Sequence, residues 1–500
     1  MADFDLAVIG GGINGTGIAR DAAGRGLRVL LAEQNDLASA TSSASSKLIH
    51  GGLRYLEHYE FGLVRSALNE REILLRAAPH LVHPLRFVLP VNAARRSPTL
   101  LHIGLLLYDW LSWRKILPGS RELDLLTDPA GDPLRSTFHH AFEYSDCFAD
   151  DARLVVLNAV DAAERGASIR TRTRCVRAER GSEWQLILNA RGQREVVTAR
   201  VLVNAAGAWV ESITEAILRQ QSPQGRWKPR LLLDKGTHIV VPRLYDHDRA
   251  YILQAADRRV VFTIPFQDDF TLIGTTDGRF NGDPAAVTPS GEEIDYLCGV
   301  VNEYFRKSIS AADAVWAYAG VRSLYDDGRG KAQDVGREYQ LVLDERPGEA
   351  PLLTVYGGKI TTHRLLAEDV LVKLAHFFPR TQPWTAKSAL PGGDFVYDGL
   401  ETLTARALRA WPFLADDHAR RLVRAYGTRI GDVLKDVASS ADLGISFGAD
   451  LTAAEVRYLM TKEWAQTADD VLWRRSKLGL RLTDAQRATL DRFMSQPDLG

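Results

Sequence analysis

The stretch "DLAVIGGGINGTGIARDAAGRGLRVLLAE", residues 5–33, constrains the fold of this chain more than any other. Leu6 to Ile9 is a short apolar run of the kind buried on both faces of a parallel sheet. Gly10, Gly12 and Gly15 follow as GxGxxG, enclosing Ile13 and Asn14. The pattern then predicts a helix from Ile13 to Ala23, ended by Gly24 and Gly26, and a second strand closing on Glu33 and Gln34. Each glycine has a physical task. Gly10 permits the tight turn, Gly12 lets backbone approach a pyrophosphate, and Gly15 lets the helix lie close on the sheet. The helix N-terminus offers free N–H groups and partial positive charge to phosphates. Glu33, at the end of the second strand, is placed to accept from a ribose diol and disfavours a 2′-phosphate. This unit alone does not separate NAD from FAD.

The next stretch, "ATSSASSKLIHGGLRYLEHYEFG" at residues 40–62, makes that choice. An NAD-type fold would continue into a helix and a third strand. This chain spends Ser39–Ser46, Thr41 and Ser42 among them, on small, donor-rich residues. Such a segment can lie along a long, extended ligand, and FAD, held non-covalently, is that ligand. Lys47, Leu48, His50, Gly51 and Gly52 then fall at the ring, with Arg54 and Tyr55 beyond it at the substrate. The bland alternative is a Ser-rich capped loop followed by an amphipathic helix.

Three later segments return to the same ligand. Val201–Asn204 runs into Ala205, Ala206 and Gly207, just before Trp209, so backbone can again meet the nucleotide. Cys175 and Val176, on the strand before, are expected over the adenine. In "LLTVYGGKITTHR" a strand meets the Gly357–Gly358 turn and a helix beginning near Ile360 and Thr361. Its positive end, with Lys359, would stabilise negative charge on a reduced flavin.

Five hundred residues suggest two to four domains. We expect a discontinuous FAD-binding domain (1–90, 145–225 and 320–388), a substrate domain (91–144 and 226–319) and a helical domain (389–500). Short β runs between 230 and 320 predict an antiparallel sheet whose loops supply Thr275, Thr276 and Asp277. Charge is balanced, 62 Lys+Arg against 63 Asp+Glu, which argues against nucleic-acid binding by bulk field. Three cysteines, far apart and odd in number, imply no disulfide framework, metal centre or iron–sulfur cluster. The first residues lack a basic n-region, and no apolar window reaches ~18 residues, so neither a signal peptide nor a spanning helix is expected. That points to the cytoplasm or the membrane's inner face. Residues 95–118 stand apart. Ile103, Leu106, Leu107, Trp110 and Leu117 fit one helical face, flanked by Arg95, Arg96, Arg114 and Lys115, with Trp113 nearby. This suits a helix lying in a membrane interface, or an ordinary buried helix.

Four segments together, "VIGGGINGTGIARDAAGRGLRVLLAE", "DLASATSSASSKLIHGGLRYLEHYEFGLV", "FEYSDCFADDARLVVLNA" and "YGGKITTHR", closely resemble the FAD-dependent, quinone-reducing glycerol-3-phosphate dehydrogenases. The resemblance is strong over about residues 1–390. It implies an α/β (α+β) fold: a Rossmann-like FAD domain of the glutathione-reductase/D-amino-acid-oxidase type, an antiparallel substrate domain and a C-terminal helical cap. It implies oxidation of sn-glycerol 3-phosphate to dihydroxyacetone phosphate, electrons passing to a membrane quinone, monotopic membrane contact and a homodimer. It gathers Arg54, Tyr55, Arg322, Arg337 and Lys359 around the substrate phosphate and reacting hydroxyl. His50 is the expected base, with His238 in reserve and Thr276 nearby. Ser323, "NAAGAW" and His363 depart from the family's common Pro, "NATGPW" and Tyr. The competing readings are an oxygen-using glycerol-3-phosphate oxidase, an amino-acid oxidase of the same wider fold, and a non-catalytic FAD-binding protein on a membrane.

Overall fold

The computed structural model describes all residues except 1, 92–96, 112–115, 217–229, 327–337, 379–380 and 497–500. Arg337 and the basic residues expected to flank the membrane-interface helix lie outside the described residues, as does Trp113, and so does the side chain of Arg54. Two sheets organise the rest. In the first, Phe4–Ile9 pairs in parallel with Val29–Ala32 on one side and Gln193–Asn204 on the other. Ser168–Arg170 and Glu349–Tyr356 extend it in parallel at the two ends. Leu6, Val8, Val29, Leu31, Val201 and Val203 are buried, as expected of strands covered on both faces. The expected helix, α1 (Ile13–Gly24), packs on this sheet. Gly15 sits where an added Cβ would lie 1.9 Å from the Gly10 carbonyl oxygen, so helix and turn touch backbone to backbone.

The second sheet is mostly antiparallel. Arg230–Pro242, Phe270–Gly274, Val260–Phe266 and Ala250–Gln254 follow one another in it, as the short β runs predict. Its membership is wider than the sequence suggests. Val82–Pro90, His140–Ala149, Leu48–Ile49 and Trp316–Asp326 all belong to it, though each lies wholly or partly in a stretch expected in the FAD domain. Nothing local says which sheet these strands join. Leu48 and Ile49 therefore carry the serine-rich stretch onto the rim of the second sheet.

Three further helices are α2 (Phe61–Ala77), α3 (Pro98–Leu111) and α4 (Asp151–Glu164). Leu63, Ala67, Leu74 and Leu75 face the core from α2, as their spacing implies. On α3, Leu101, Leu105, Tyr108 and Leu111 are buried, while Leu100, Ile103, Leu106 and Trp110 are 67%, 57%, 54% and 76% exposed. Leu117 does not share that outer face; it lies beyond the helix end and is buried in the first core. No helix among the described residues is long and apolar enough to cross a membrane.

Residues 400–495 form mainly helices around a core of their own, with a two-stranded sheet at 446–452. This unit is tied to the first by buried charges. Arg474 and Arg475 converge on Asp36 at 2.6 and 2.8 Å, and Arg153 pairs with Glu463. Asp36 and Arg475 are both almost fully buried. Removing one member of such a pair strands the other charge away from water. Asp36→Ala is expected to destabilise the protein by about 3–5 kcal/mol, read as a lower midpoint in chemical denaturation.

Candidate active site

The two sheets and the C-terminal unit enclose one long cavity of about 800 Å³. That volume falls within the roughly 300–1,000 Å³ typical of ligand and cofactor pockets. At one end lies the glycine turn. An added Cβ at Gly10, whose φ is +110°, would stand 2.6 Å from the Ala205 carbonyl oxygen, and one at Gly12 would stand 3.1 Å from Ser42 Oγ. Two chain crossings are thus held at backbone distance, leaving an uncluttered cradle at the start of α1. Glu33 lines this end, its carboxylate accepting from the N–H groups of Gly11 (2.6 Å) and Asn35 (2.7 Å). Burial pushes its pKa above the usual carboxylate range, against those two hydrogen bonds. Gln34, Cys175, Ala206, Gly207 and Trp209 also reach the cavity; Val176 does not line it.

The serine-rich stretch runs along the middle. Ser42 Oγ accepts from Ile13 N–H at 3.0 Å, Thr41 donates to the Val321 carbonyl at 2.7 Å, and Ser46 meets His238 Nε2 at 2.9 Å. Thr41, Ser42, Ser46, Leu48, His50 and Gly51 all line the cavity. Lys47 is a correction. Its φ is +58°, which turns the side chain away from the ligand space, and the ammonium is fully buried against Asp151 at 2.8 and 2.9 Å. It shapes the wall from behind and does not reach a ring.

The far end is cationic. Lys359, Ile360, Thr361 and Gly358 face Asn14, Tyr55, His50 and Arg322 around the same space. Lys359 Nζ lies 4.0 Å from the Tyr55 ring centroid and is buried with no hydrogen-bond partner among the described residues. Arg322 is held by Asp234 at 2.8 Å and Asp277 at 3.0 Å. Thr361 Oγ1 accepts from the His50 N–H at 3.4 Å, joining the two halves of this end. His238 is stacked on Tyr318 with centroids 4.9 Å apart. Burial, with Lys47 and Arg322 nearby, drives its pKa down to about 3, so it is neutral at working pH. Thr276 is sealed behind the wall, where its hydroxyl accepts from Thr237 N–H. Gly52 and Asp277 open instead on an adjoining alcove of about 180 Å³ that also touches His50, Tyr55 and Arg322.

Several wall residues carry no local signal. Trp316 and Tyr318 come from the second sheet, and Trp473 and Arg474 from the C-terminal unit, with Trp316 and Trp473 stacked 4.5 Å apart. Only the unusual "LWRRS" in an otherwise plain helical region marks the last two. Among the described residues no cluster of His, Cys, Asp and Glu could hold a metal ion.

The groups present fit FAD: a phosphate cradle, a donor-lined channel and, at the far end, an orphaned buried cation. Comparison with known proteins agrees. A family model described as FAD dependent oxidoreductase matches residues 5–364, and one described as the C-terminal domain of alpha-glycerophosphate oxidase matches residues 383–496. A glycerol-3-phosphate dehydrogenase of Pseudomonas aeruginosa is 52% identical over 98% of this chain and 95% of its own length. A D-erythritol 1-phosphate dehydrogenase of Brucella abortus is 47% identical over 99% and 98%. The crystal structure of a Bacillus halodurans glycerol-3-phosphate dehydrogenase complexed with FAD superposes with a TM-score of 0.76 at 25% identity, covering 98% of this chain and 94% of that one. Gly10→Ala must break the cradle, because both its φ and the Ala205 carbonyl forbid a Cβ. The purified variant is expected to lack the flavin absorption band while keeping its far-ultraviolet circular dichroism.

Proposed function

This chain belongs to the FAD-dependent oxidoreductases and, within them, to the glycerol-3-phosphate dehydrogenases, and we propose that its electrons pass on to a membrane quinone. It is a flavoenzyme that converts the secondary alcohol of sn-glycerol 3-phosphate to the ketone of dihydroxyacetone phosphate. Bound FAD supplies the hydride acceptor, which no side chain offers.

The chain's own residues do the remaining work. The observation that carries this reading is the buried ammonium of Lys359, over the Tyr55 ring but with no hydrogen-bond partner among the described residues, in a cavity that also holds Arg322. A buried ammonium without hydrogen-bond acceptors is costly, and an anionic ligand relieves it. Arg322, and with it Arg54 and Arg337 as the resemblance implies, would take phosphate oxygens, each charge-assisted bond contributing roughly 1.5–3 kcal/mol. Asp234 and Asp277 aim the Arg322 guanidinium and keep it from swinging away. His50 lines both the main cavity and the alcove, and an imidazole nitrogen there would accept the alcohol proton. His238, neutral and stacked, would hold Ser46 in place rather than serve as base.

The relative that acts on D-erythritol 1-phosphate supports a second reading in which the substrate is a four-carbon polyol phosphate. One experiment separates the possibilities. The holoenzyme is mixed anaerobically with glycerol 3-phosphate or D-erythritol 1-phosphate, and the flavin band near ~450 nm is followed, that band being typical of oxidised flavin. Bleaching by glycerol 3-phosphate, reversed quickly by a soluble quinone and slowly by oxygen, is expected. Faster bleaching by the four-carbon substrate would favour the second reading; rapid reoxidation by oxygen with peroxide formed would mean an oxidase. No bleaching by either would remove the enzymatic reading.

Access to a quinone requires the membrane, and the outer face of α3 is suited to it. Leu100, Ile103, Leu106 and Trp110 form an exposed apolar stripe on one side of a helix too short to span a bilayer. Replacing Leu106 and Trp110 together with Asp is expected to abolish co-flotation of the holoenzyme with anionic lipid vesicles, while leaving bleaching by substrate intact. Unchanged flotation would exclude this face as the contact.

A further inference from the structure

The buried side of the same helix carries a polar group that the core does not need. Tyr108 is 1% exposed, and its hydroxyl sits between two partners. It donates to Asp146, with the two carboxylate oxygens at 2.8 and 2.9 Å, and accepts from the backbone N–H of Gly51 at 2.8 Å. Asp146 is held in turn by Arg71, whose guanidinium lies 2.8 Å from Asp146 Oδ1 and 2.8 Å from the Ser145 carbonyl. Arg71, Tyr108 and Asp146 are all within 1% of full burial. The order of donation is fixed by chemistry. A phenol has one proton; Asp146 takes it, and the lone pair left over can only receive. Burial, together with the Asp146 charge, pushes the Tyr108 pKa well above its ordinary value, so that proton stays on the phenol throughout the working range.

The receiving end is the peptide next to His50. A Cβ on Gly51 would lie 2.8 Å from the Tyr108 hydroxyl and 2.7 Å from Leu68 Cδ2, so the backbone is seated directly on the phenol. Such a contact costs a helix an apolar position and a core three polar groups. Its return is a fixed placement of the His50–Gly51 peptide from behind, where no ligand touches it.

We propose that Tyr108 is a positioning residue for the oxidation: bridging Asp146 and the Gly51 N–H, it sets where His50 stands against the substrate. This rests on the reading of His50 as the proton acceptor.

The test uses the FAD-loaded enzyme and two variants. Tyr108→Phe keeps the ring, which packs edge-on to Tyr144, and removes only the hydroxyl. Leu105→Ala loosens the same buried face of α3 without touching a polar contact. In Tyr108→Phe, amide hydrogen exchange over residues 48–56 is expected to accelerate at least tenfold, and the rate of flavin reduction by substrate to fall about tenfold. KM and flavin content should stay within twofold of wild type. Leu105→Ala should lose thermal stability yet show neither change. Should Tyr108→Phe fold poorly, 3-fluorotyrosine at 108 preserves shape while weakening the oxygen as an acceptor, and faster exchange at 48–56 is again expected. Unchanged exchange in the fluorinated protein or in Tyr108→Phe, or equal effects from Leu105→Ala, would overturn the proposal. If exchange changes but wild-type flavin is not bleached by substrate, the functional reading fails and the positioning of the loop stands.

Discussion

The shape of the cofactor channel depends on one ion pair. Lys47 and Asp151 are both fully buried, and Asp151 is the first residue of α4. The Lys47 ammonium reaches back to the Ser43 carbonyl at 3.1 Å, while Asp151 takes the Ser45 hydroxyl at 2.8 Å and the Ser45 N–H at 3.2 Å. Burial is the largest single effect and would raise the Asp151 pKa; the charges of Lys47 and Lys477, with the hydrogen bonds from Lys47 and Ser45, together outweigh it and hold the carboxyl below its ordinary value. The pair thus folds five residues around itself. The neighbouring hydroxyls are then placed outward: Ser42 to the α1 turn, and Thr41 and Ser46 to Val321 and His238 of the second sheet. A buried pair is weak evidence of net stability, since desolvation offsets much of the attraction. Here its consequence is conformational: it makes a flexible, small-residue segment rigid enough to be a wall.

Much of the first sheet and the phosphate cradle was legible, because the information there is local. GxGxxG between a strand and a helix specifies a backbone path; Gly10 and Gly15 sit where a Cβ would collide with backbone, and Gly12 sits tight against the Ser42 hydroxyl. The serine stretch was legible as a donor-lined channel for the same reason. Lys47 was not. Its place in the sequence suggested a ligand contact, but side-chain direction at positive φ is decided by Asp151, more than a hundred residues away. The α3 stripe was legible at Ile103, Leu106 and Trp110 through helical spacing, and failed at Leu117, where the helix had already ended. Sheet membership failed most. Val82–Pro90 and His140–Ala149 look like strands of either sheet, and only their mutual register decides.

The distribution of charge sorts structure from function. Most buried cations here have carboxylate partners: Arg20 with Asp161, Arg71 with Asp146, Arg153 with Glu463, Arg364 with Glu70. These tie elements together. Lys359 breaks the pattern: its buried ammonium has no hydrogen-bond partner among the described residues and lies over the Tyr55 ring at the cationic end of the cavity. The histidines also differ in place. His238 and His363 are buried and stay neutral, each with a ring nitrogen bonded to a neighbour, whereas His50 stands where two cavities meet.

Trp473 and Arg474 give the cavity a wall from near the end of the chain, opposite a cradle built by the first fifteen residues. A ribosome delivers these parts in order, and domains fold as they emerge. The phosphate cradle, the serine channel and the cationic end are all synthesised before the residues that close them. The cradle and serine channel come early, the cationic end only at residues 358–361, and the closing wall at 473–474. A chain clipped before residue 473 would lack the Trp473 and Arg474 side of that wall.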